Sequence, residues 1–422
     1  MKKLFLYIFV IILAGQWIQT SNNSSLDNST TTKNSHIIQI SEYISNKQPK
    51  LQHCPTAYKD LTALNHKDET YLSRYKNISA IYPQKRVVIV PVADLRFEPE
   101  AISPKVQLPT SDLTNPLQIT QLLLGEYIMA YEEVMDTNNE AWLKVYAIQQ
   151  EKFVGPSGWL GYPGWIKKNQ TIEVGQYPAC NIVISAMFAN LTDASGDIVQ
   201  TVSVGTRFQA IKINENFWKI TLPNQTTAYI RHDDIYEIVP TLQESIDQLR
   251  VSIINKSKEF LGYWYSWGGR SAQSELFGNI SSVDCSALVN LSFLAHGLQL
   301  PRMSKEQFLA SSEIKSGANL QPGDLIFYAS VFKNKNYKNP LLIDHIMIYL
   351  GDNQLIEATF ADDHKIRITA CDERVGKPCH DIQSGDIIKD FDEEYFVYFG
   401  TFFNDLESLQ KLRDNALKNT YF

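Results

Sequence analysis

The sequence has no basic excess. Its 39 Lys and Arg stand against 46 Asp and Glu, a net charge of −7, so it lacks the electrostatic footprint of a polyanion binder and nucleic acid is disfavoured as a partner. It also lacks a full membrane span: the longest apolar run, "LFLYIFVIILAG" near the N-terminus, falls short of the roughly 20 residues that cross a bilayer. Cysteine is scarce, with five in 422 residues, and no pair-of-pairs Cys/His spacing supports a zinc site. Five is an odd number, so at least one thiol has no partner within the chain.

What is present begins with Lys2 and Lys3, the apolar run, and then the polar "QWIQTSNNSS". Charged, apolar and polar segments in that order describe a secretory signal over residues 1–20, so the mature chain is expected to be exported, periplasmic or secreted, with no stable membrane span. In an oxidising compartment cysteines tend to pair. Cys371 and Cys379 bracket the turn-rich "DERVGKP" and can close as a local disulfide, and Cys54 with Cys180 is a weaker pairing. Cys285 is then left over.

Residues 21–84 are expected to form a linker and N-terminal segment, because "SNNSSLDNSTTTKNSH" is too polar to offset chain entropy, and the remainder reads as helical or irregular. From "KRVVIVPVADLRFEP" onward, short β-type runs alternate with Pro, Gly and Asn, and a weak repeat runs through them. One copy reads "GEYIMAYEE", "AWLKVYA", "GWIKK"; the other reads "GTRFQAIKI", "FWKITLP", "AYIRH". Trp142 and Trp218 occupy equivalent places. Each copy suits a small all-β barrel, over residues 85–172 and 173–242, with one larger sandwich as the alternative.

The texture changes near Ser245, where apolar residues recur at three and four positions. Helices come first, and "LQPGDLIFY", "DHIMIYLG" and "QLIEATF" follow as strands of an antiparallel sheet, an α+β unit over residues 245–405 with a polar helical tail, 406–422. Within it, "SSVDCSALVNL" places Cys285 where a polar loop becomes an apolar helix. Such a cysteine can be a core residue, half of a disulfide, a metal ligand or a nucleophile. Ser282 or Asp284 can cap the helix, and orphan N–H groups in the first turn favour a thiolate. His345 begins the strand "DHIMIYLG", and Glu357 falls on the next strand. An imidazole there can accept the thiol proton, and a carboxylate behind it can fix the tautomer.

"YSWGGRS", "VDCSAL", "LPRMSKEQ", "LQPGDLIFY" and "DHIMIYLGDNQLIEA", in that order, resemble the NlpC/p60 family of papain-like cell-wall cysteine peptidases over about residues 250–400. The upstream half resembles the paired bacterial SH3-type domains of γ-D-glutamyl-L-diamino-acid endopeptidases. The resemblance implies Cys285 as nucleophile, His345 as base and Glu357 as its orienter, with no cofactor or metal. It implies peptidoglycan stem peptides or muropeptides as partners. Glu126, Tyr162 and Asp284 match positions that bind the free amine of an N-terminal L-Ala, and Ser286, Arg302 and Ser304 match other cleft positions. The chain departs from the family pattern at Ala287, usually Gly; at Glu357, usually His; and at Met303, which replaces a common aspartate. Two alternatives stand beside this reading: a papain-like amidase or endopeptidase acting on intact wall, and a non-catalytic peptidoglycan-binding protein.

Overall fold

Two consecutive β-rich units lead into a mixed unit whose helices precede its sheet. The computed structural model describes residues 76–99, 117–153, 159–177, 179–271, 282–331, 343–359, 364–390 and 393–417, all within one compact unit, Pro49–Phe422. The expected signal segment, Cys54 and the expected linker up to residue 75 lie outside the described residues.

The first unit is one antiparallel sheet of β1 (Lys76–Val88), β2 (Val92–Arg96), β3 (Gln118–Leu123), β4 (Tyr127–Met135), β5 (Ala141–Phe153), β6 (Trp159–Lys167) and β7 (Thr171–Glu173), ordered β3-β2-β6-β5-β4-β1-β7. Val88, Leu95, Ile128, Leu143, Val145 and Ile166 form its core, as strand alternation directs one face inward. β1 begins at Lys76 and pairs with β4 from Lys76↔Met135, so residues 76–84 are strand rather than linker. The second unit comprises β8 (Ile182–Ile184), β9 (Phe188–Thr192), β10 (Ile198–Ser203), β11 (Arg207–Phe208), β12 (Ala210–Lys212), β13 (Phe217–Thr221), β14 (Thr227–Arg231) and β15 (Ile235–Glu237). These form two sheets, β10-β9-β14-β13-β12 and β11-β8-β15, around Leu191, Trp218, Ile220 and Ile230.

The sequence repeat has a structural counterpart. Gly125 and Gly205 turn the chain at φ +82° and +87°, a conformation glycine adopts without a Cβ penalty. Trp142 on β5 and Trp218 on β13 are both buried. Each unit then ends in a single 3-10 turn, Lys168–Gln170 or His232–Asp234, and a short strand that returns to pair with the unit's first strand.

The third unit opens with α1 (Ile246–Glu259), started by a capping box between Ser245 and Gln248. Three short strands, β16 (Trp264–Tyr265), β17 (Arg270–Ser271) and β18 (Ser282–Val283), deliver the chain to α2 (Cys285–Leu294), and α3 (Ser304–Ala310) follows. The sheet then assembles from β19 (Ser312–Ile314), β20 (Leu325–Ser330), β21 (Ile343–Gly351), β22 (Gln354–Ala358), β23 (Ile366–Ala370), β24 (Asp386–Asp390) and β25 (Glu393–Thr401), with the short α4 (Cys371–Val375) between β23 and β24. Its order is β19-β25-β20-β21-β22-β23, with β24 on β25, and every pairing is antiparallel. The antiparallel sheet read from the sequence is observed after the helices, but three short strands already precede α2 and α4 interrupts the sheet strands.

The terminal helix α5 (Leu406–Leu417) is docked rather than a free tail: Leu409, Arg413 and Ala416 are buried. Among the described residues no helix is long and apolar enough to cross a membrane.

Candidate active site

Asp284 is the N-cap of α2, and its side chain accepts the Ala287 N–H at 2.7 Å, so of the two expected caps the aspartate is the one used. Cys285 is the first residue of the helix, and every residue of α2 is buried. α2 packs against β21. The backbone N–H groups of Ile346 and Ser286 favour the Cys285 thiolate, which sets the sulfur near the start of β21. The helix start was expected to favour the thiolate. Instead burial, and secondarily the adjacent Asp284 charge, push the thiol well up from its ordinary value, and the two N–H groups and Arg302 offset this only in part. Desolvation outweighs the helix end here.

His345 Nε2 meets Glu357 Oε2 at 2.8 Å. The register pairs Ile348 with Ile356, so Glu357 lies diagonally across the hairpin from His345, within reach of a long side chain. Glu357 is 0% exposed. Burial opposes its charge, yet the His345 hydrogen bond and the Arg374 guanidinium outweigh it and hold the carboxyl down at about 2. An ionised carboxylate only accepts hydrogen bonds, so Nε2 carries the proton and Nδ1 is left as the acceptor. Arg367, directly opposite Glu357 on β23, donates to Oε1 from Nε at 3.2 Å and Nη2 at 3.0 Å. Arg374 donates to Oε2 from Nε at 2.9 Å.

The expected substrate positions lie in a second polar network at the seam with the first β unit. Arg302 grips Asp284 with both terminal nitrogens, at 2.9 and 2.7 Å, and also donates to Ser286 Oγ and, through Nε, to Thr120 Oγ1 on β3. Asp284 additionally accepts from Ser286 Oγ and the Gly268 N–H. Its acceptor sites are filled. Glu126 Oε1 accepts from Arg270 at 2.7 Å and Oε2 from Gln150 at 3.0 Å, which leaves each oxygen one lone pair. The Tyr162 hydroxyl donates to Met303 Sδ at 2.8 Å, so the residue that departs from the family pattern at position 303 contacts an expected substrate position. Ser304 Oγ donates to the Ile343 carbonyl at 3.4 Å and ties α3 to β21.

Sequence reasoning missed Arg367, Arg374 and Asp390 behind Glu357, and Arg270, Gln150 and Thr120 behind Glu126 and Arg302. Arg367 was within reach of a strand-pairing argument; the others depend on tertiary placement. Cys371 and Cys379 form the expected disulfide, so neither thiolate is free for a metal. Cys180 is a buried thiol in hydrogen-bond contact with the Tyr127 hydroxyl at 3.2 Å; the suggested Cys54–Cys180 pairing involves Cys54, which lies outside the described residues.

Cys285 thus opens a buried helix that packs against β21, the strand whose His345 is backed by the buried Glu357 carboxylate. Residues 262–382 match the NlpC/P60 family. Peptidoglycan endopeptidase RipB of Mycobacterium tuberculosis is 34% identical over 112 residues, 25% of this chain and 42% of RipB. The gamma-D-glutamyl-L-lysine dipeptidyl-peptidase of Bacillus subtilis is 26% identical over 240 residues, 57% of this chain and 71% of that protein. The chain thus spans less than half of RipB but most of the dipeptidyl-peptidase. In fold it is similar to an NlpC/P60 family protein from Bacillus cereus, with a TM-score of 0.51 at 24% identity, covering 68% of this chain and 94% of that one.

Proposed function

We propose that this chain is an exported cysteine peptidase that hydrolyses the γ-D-glutamyl–diamino-acid bond of peptidoglycan stem peptides with a free N-terminal L-Ala, and that its two upstream β units are SH3-type domains. The observation that carries the reading is the His345–Glu357 hydrogen bond on the strand against which the Cys285 helix packs. His345 Nδ1 takes the thiol proton, the sulfur attacks the amide carbon, and the imidazolium returns the proton to the leaving amine. Water, activated by the same imidazole, then hydrolyses the thioester. Likeness to the dipeptidyl-peptidase covers 240 residues, more than the third unit holds, which supports a contribution from at least part of the β-rich half.

Amine recognition rests on Glu126 and Tyr162, which keep spare acceptor sites. Asp284 supports the cleft by capping α2 and anchoring Arg302, and Ser286, Arg302 and Ser304 shape its floor. A second reading, cleavage of intact stems in the wall, draws on the saturation of Asp284, which leaves one carboxylate fewer for the amine, and on the likeness to RipB. Comparing free and N-acetylated L-Ala-γ-D-Glu-diamino-acid peptides tests the choice: the proposal requires poor cleavage of the acetylated form.

A further inference from the structure

The disulfide loop is tied to the hairpin that carries His345 and Glu357. The Cys371 N–H donates to the Asn353 carbonyl at 2.8 Å and the Cys379 N–H to Asn353 Oδ1 at 2.9 Å, so both cysteines bond to the turn between β21 and β22. Cys371 and Cys379 are buried with Tyr328, Met347 and Val397. From α4, inside the loop, Arg374 reaches the Glu357 oxygen that also takes His345, at 2.9 and 2.8 Å. Arg374 is held in turn: Nη1 pairs with Asp390, the guanidinium lies 5.0 Å over the Tyr328 ring, and the Tyr328 hydroxyl donates to the Arg374 carbonyl at 3.2 Å. Tyr328 also sets its ring edge-on to His345, with centroids 6.0 Å apart.

We infer that Arg374 is a positioning residue for the catalytic histidine, and that the Cys371–Cys379 disulfide holds it in place, so that full turnover requires the bridge to be closed. The inference rests on the reading of Cys285, His345 and Glu357 as a triad. The last torsion of a glutamate is broad, and Arg367 alone, on one oxygen, leaves the other free to swing. A planar guanidinium bridging Glu357 and Asp390 removes that freedom. α4 has only five residues, Cys371–Val375, too few to hold a helix by its own hydrogen bonds, so the cross-link and the Asn353 contacts fix it. Reduction by dithiothreitol breaks the S–S bond, delivers two electrons and two protons to give two thiols, and leaves the reductant as its cyclic disulfide. The loop then keeps its sequence but loses its clamp. Export to an oxidising compartment and activity become linked through one bond.

The test uses the full chain with L-Ala-γ-D-Glu-meso-diaminopimelate as substrate. Arg374→Met should lower kcat by about 10- to 100-fold with KM nearly unchanged, and Arg374→Lys should recover part of the loss. Wild type should slow in dithiothreitol, whereas Cys371→Ser/Cys379→Ser should be slow from the start and indifferent to it. Nitrogen NMR of the imidazoles, with His345→Gln to assign the resonance, should show one tautomer protonated at Nε2 in wild type and a mixture in Arg374→Met. Wild-type kcat and an unchanged His345 tautomer in Arg374→Met would overturn the inference. Cys285→Ala separates the two levels: if it still cleaves, the triad reading fails, whereas if it is dead and Arg374→Met is normal, only the positioning role fails.

Discussion

Glu357 is the residue on which acid stability and the proposed chemistry both turn. Its carboxyl is held at about 2, below the ordinary value of 4.5, so its contribution to stability is full above about pH 4.5 and is lost as pH falls toward 2. The shift corresponds to about 3 kcal/mol. Glu357→Gln should remove that segment of the acid denaturation profile, read by chemical unfolding between pH 2 and 5, and should lower kcat by about 10²-fold or more by loosening the tautomer. A profile identical to wild type would contradict the buried ion cluster. Cys285 makes a second prediction. Its raised thiol should react with iodoacetamide at pH 7 more slowly than a free cysteine, followed by mass spectrometry of the labelled peptide. Cys285 and His345 were legible as candidates, because a cysteine after a cap and a histidine at a strand start are local patterns. The direction of the thiol shift was not, since it depends on burial and on a neighbouring charge that only packing reveals.

At the scale of elements, the hairpin of β21 and β22 and the cap of α2 follow directly from alternation and capping chemistry. The doubled β pattern was legible too, since Gly125 with Gly205 and Trp142 with Trp218 recur at matching places. The start of β1 was not. Pro83 lies in the irregularity between the Ala80 and Gln84 pairings, where a residue without an N–H can be accommodated, and the pairing partner β4 is distant in sequence. Gly268 shows how tightly the elements meet. It sits at φ +70°, and a Cβ there would fall 2.9 Å from the Ile119 backbone carbon, while its N–H serves Asp284. Gly268→Ala should cost about 3 kcal/mol, measured as a lower denaturant midpoint, with kcat/KM falling because the Asp284 cap moves.

At the scale of the molecule, buried arginines join the units. Arg270 reaches from β17 to Glu126, and Arg302 reaches from the loop before α3 to Thr120. Arg413 on α5, 0% exposed, donates to the carbonyls of Gly297 and His296 and to the Tyr236 hydroxyl. Arg413→Ala would strand those acceptors and should cost about 3 kcal/mol, read as a fall in Tm that Cys285→Ala does not share. None of these seams was visible in the sequence, because an arginine's partner a hundred residues away leaves no periodic trace. On the proposed function they matter, since Glu126 and Tyr162 can serve a cleft at Cys285 only if the first β unit is locked to the unit that bears Cys285. The most direct test of that account is mass spectrometry of L-Ala-γ-D-Glu-meso-diaminopimelate and its N-acetylated form after incubation with wild type and Cys285→Ala. Release of L-Ala-D-Glu from the free peptide, by wild type alone, is the predicted result; equal cleavage of both forms, or cleavage by Cys285→Ala, would contradict it.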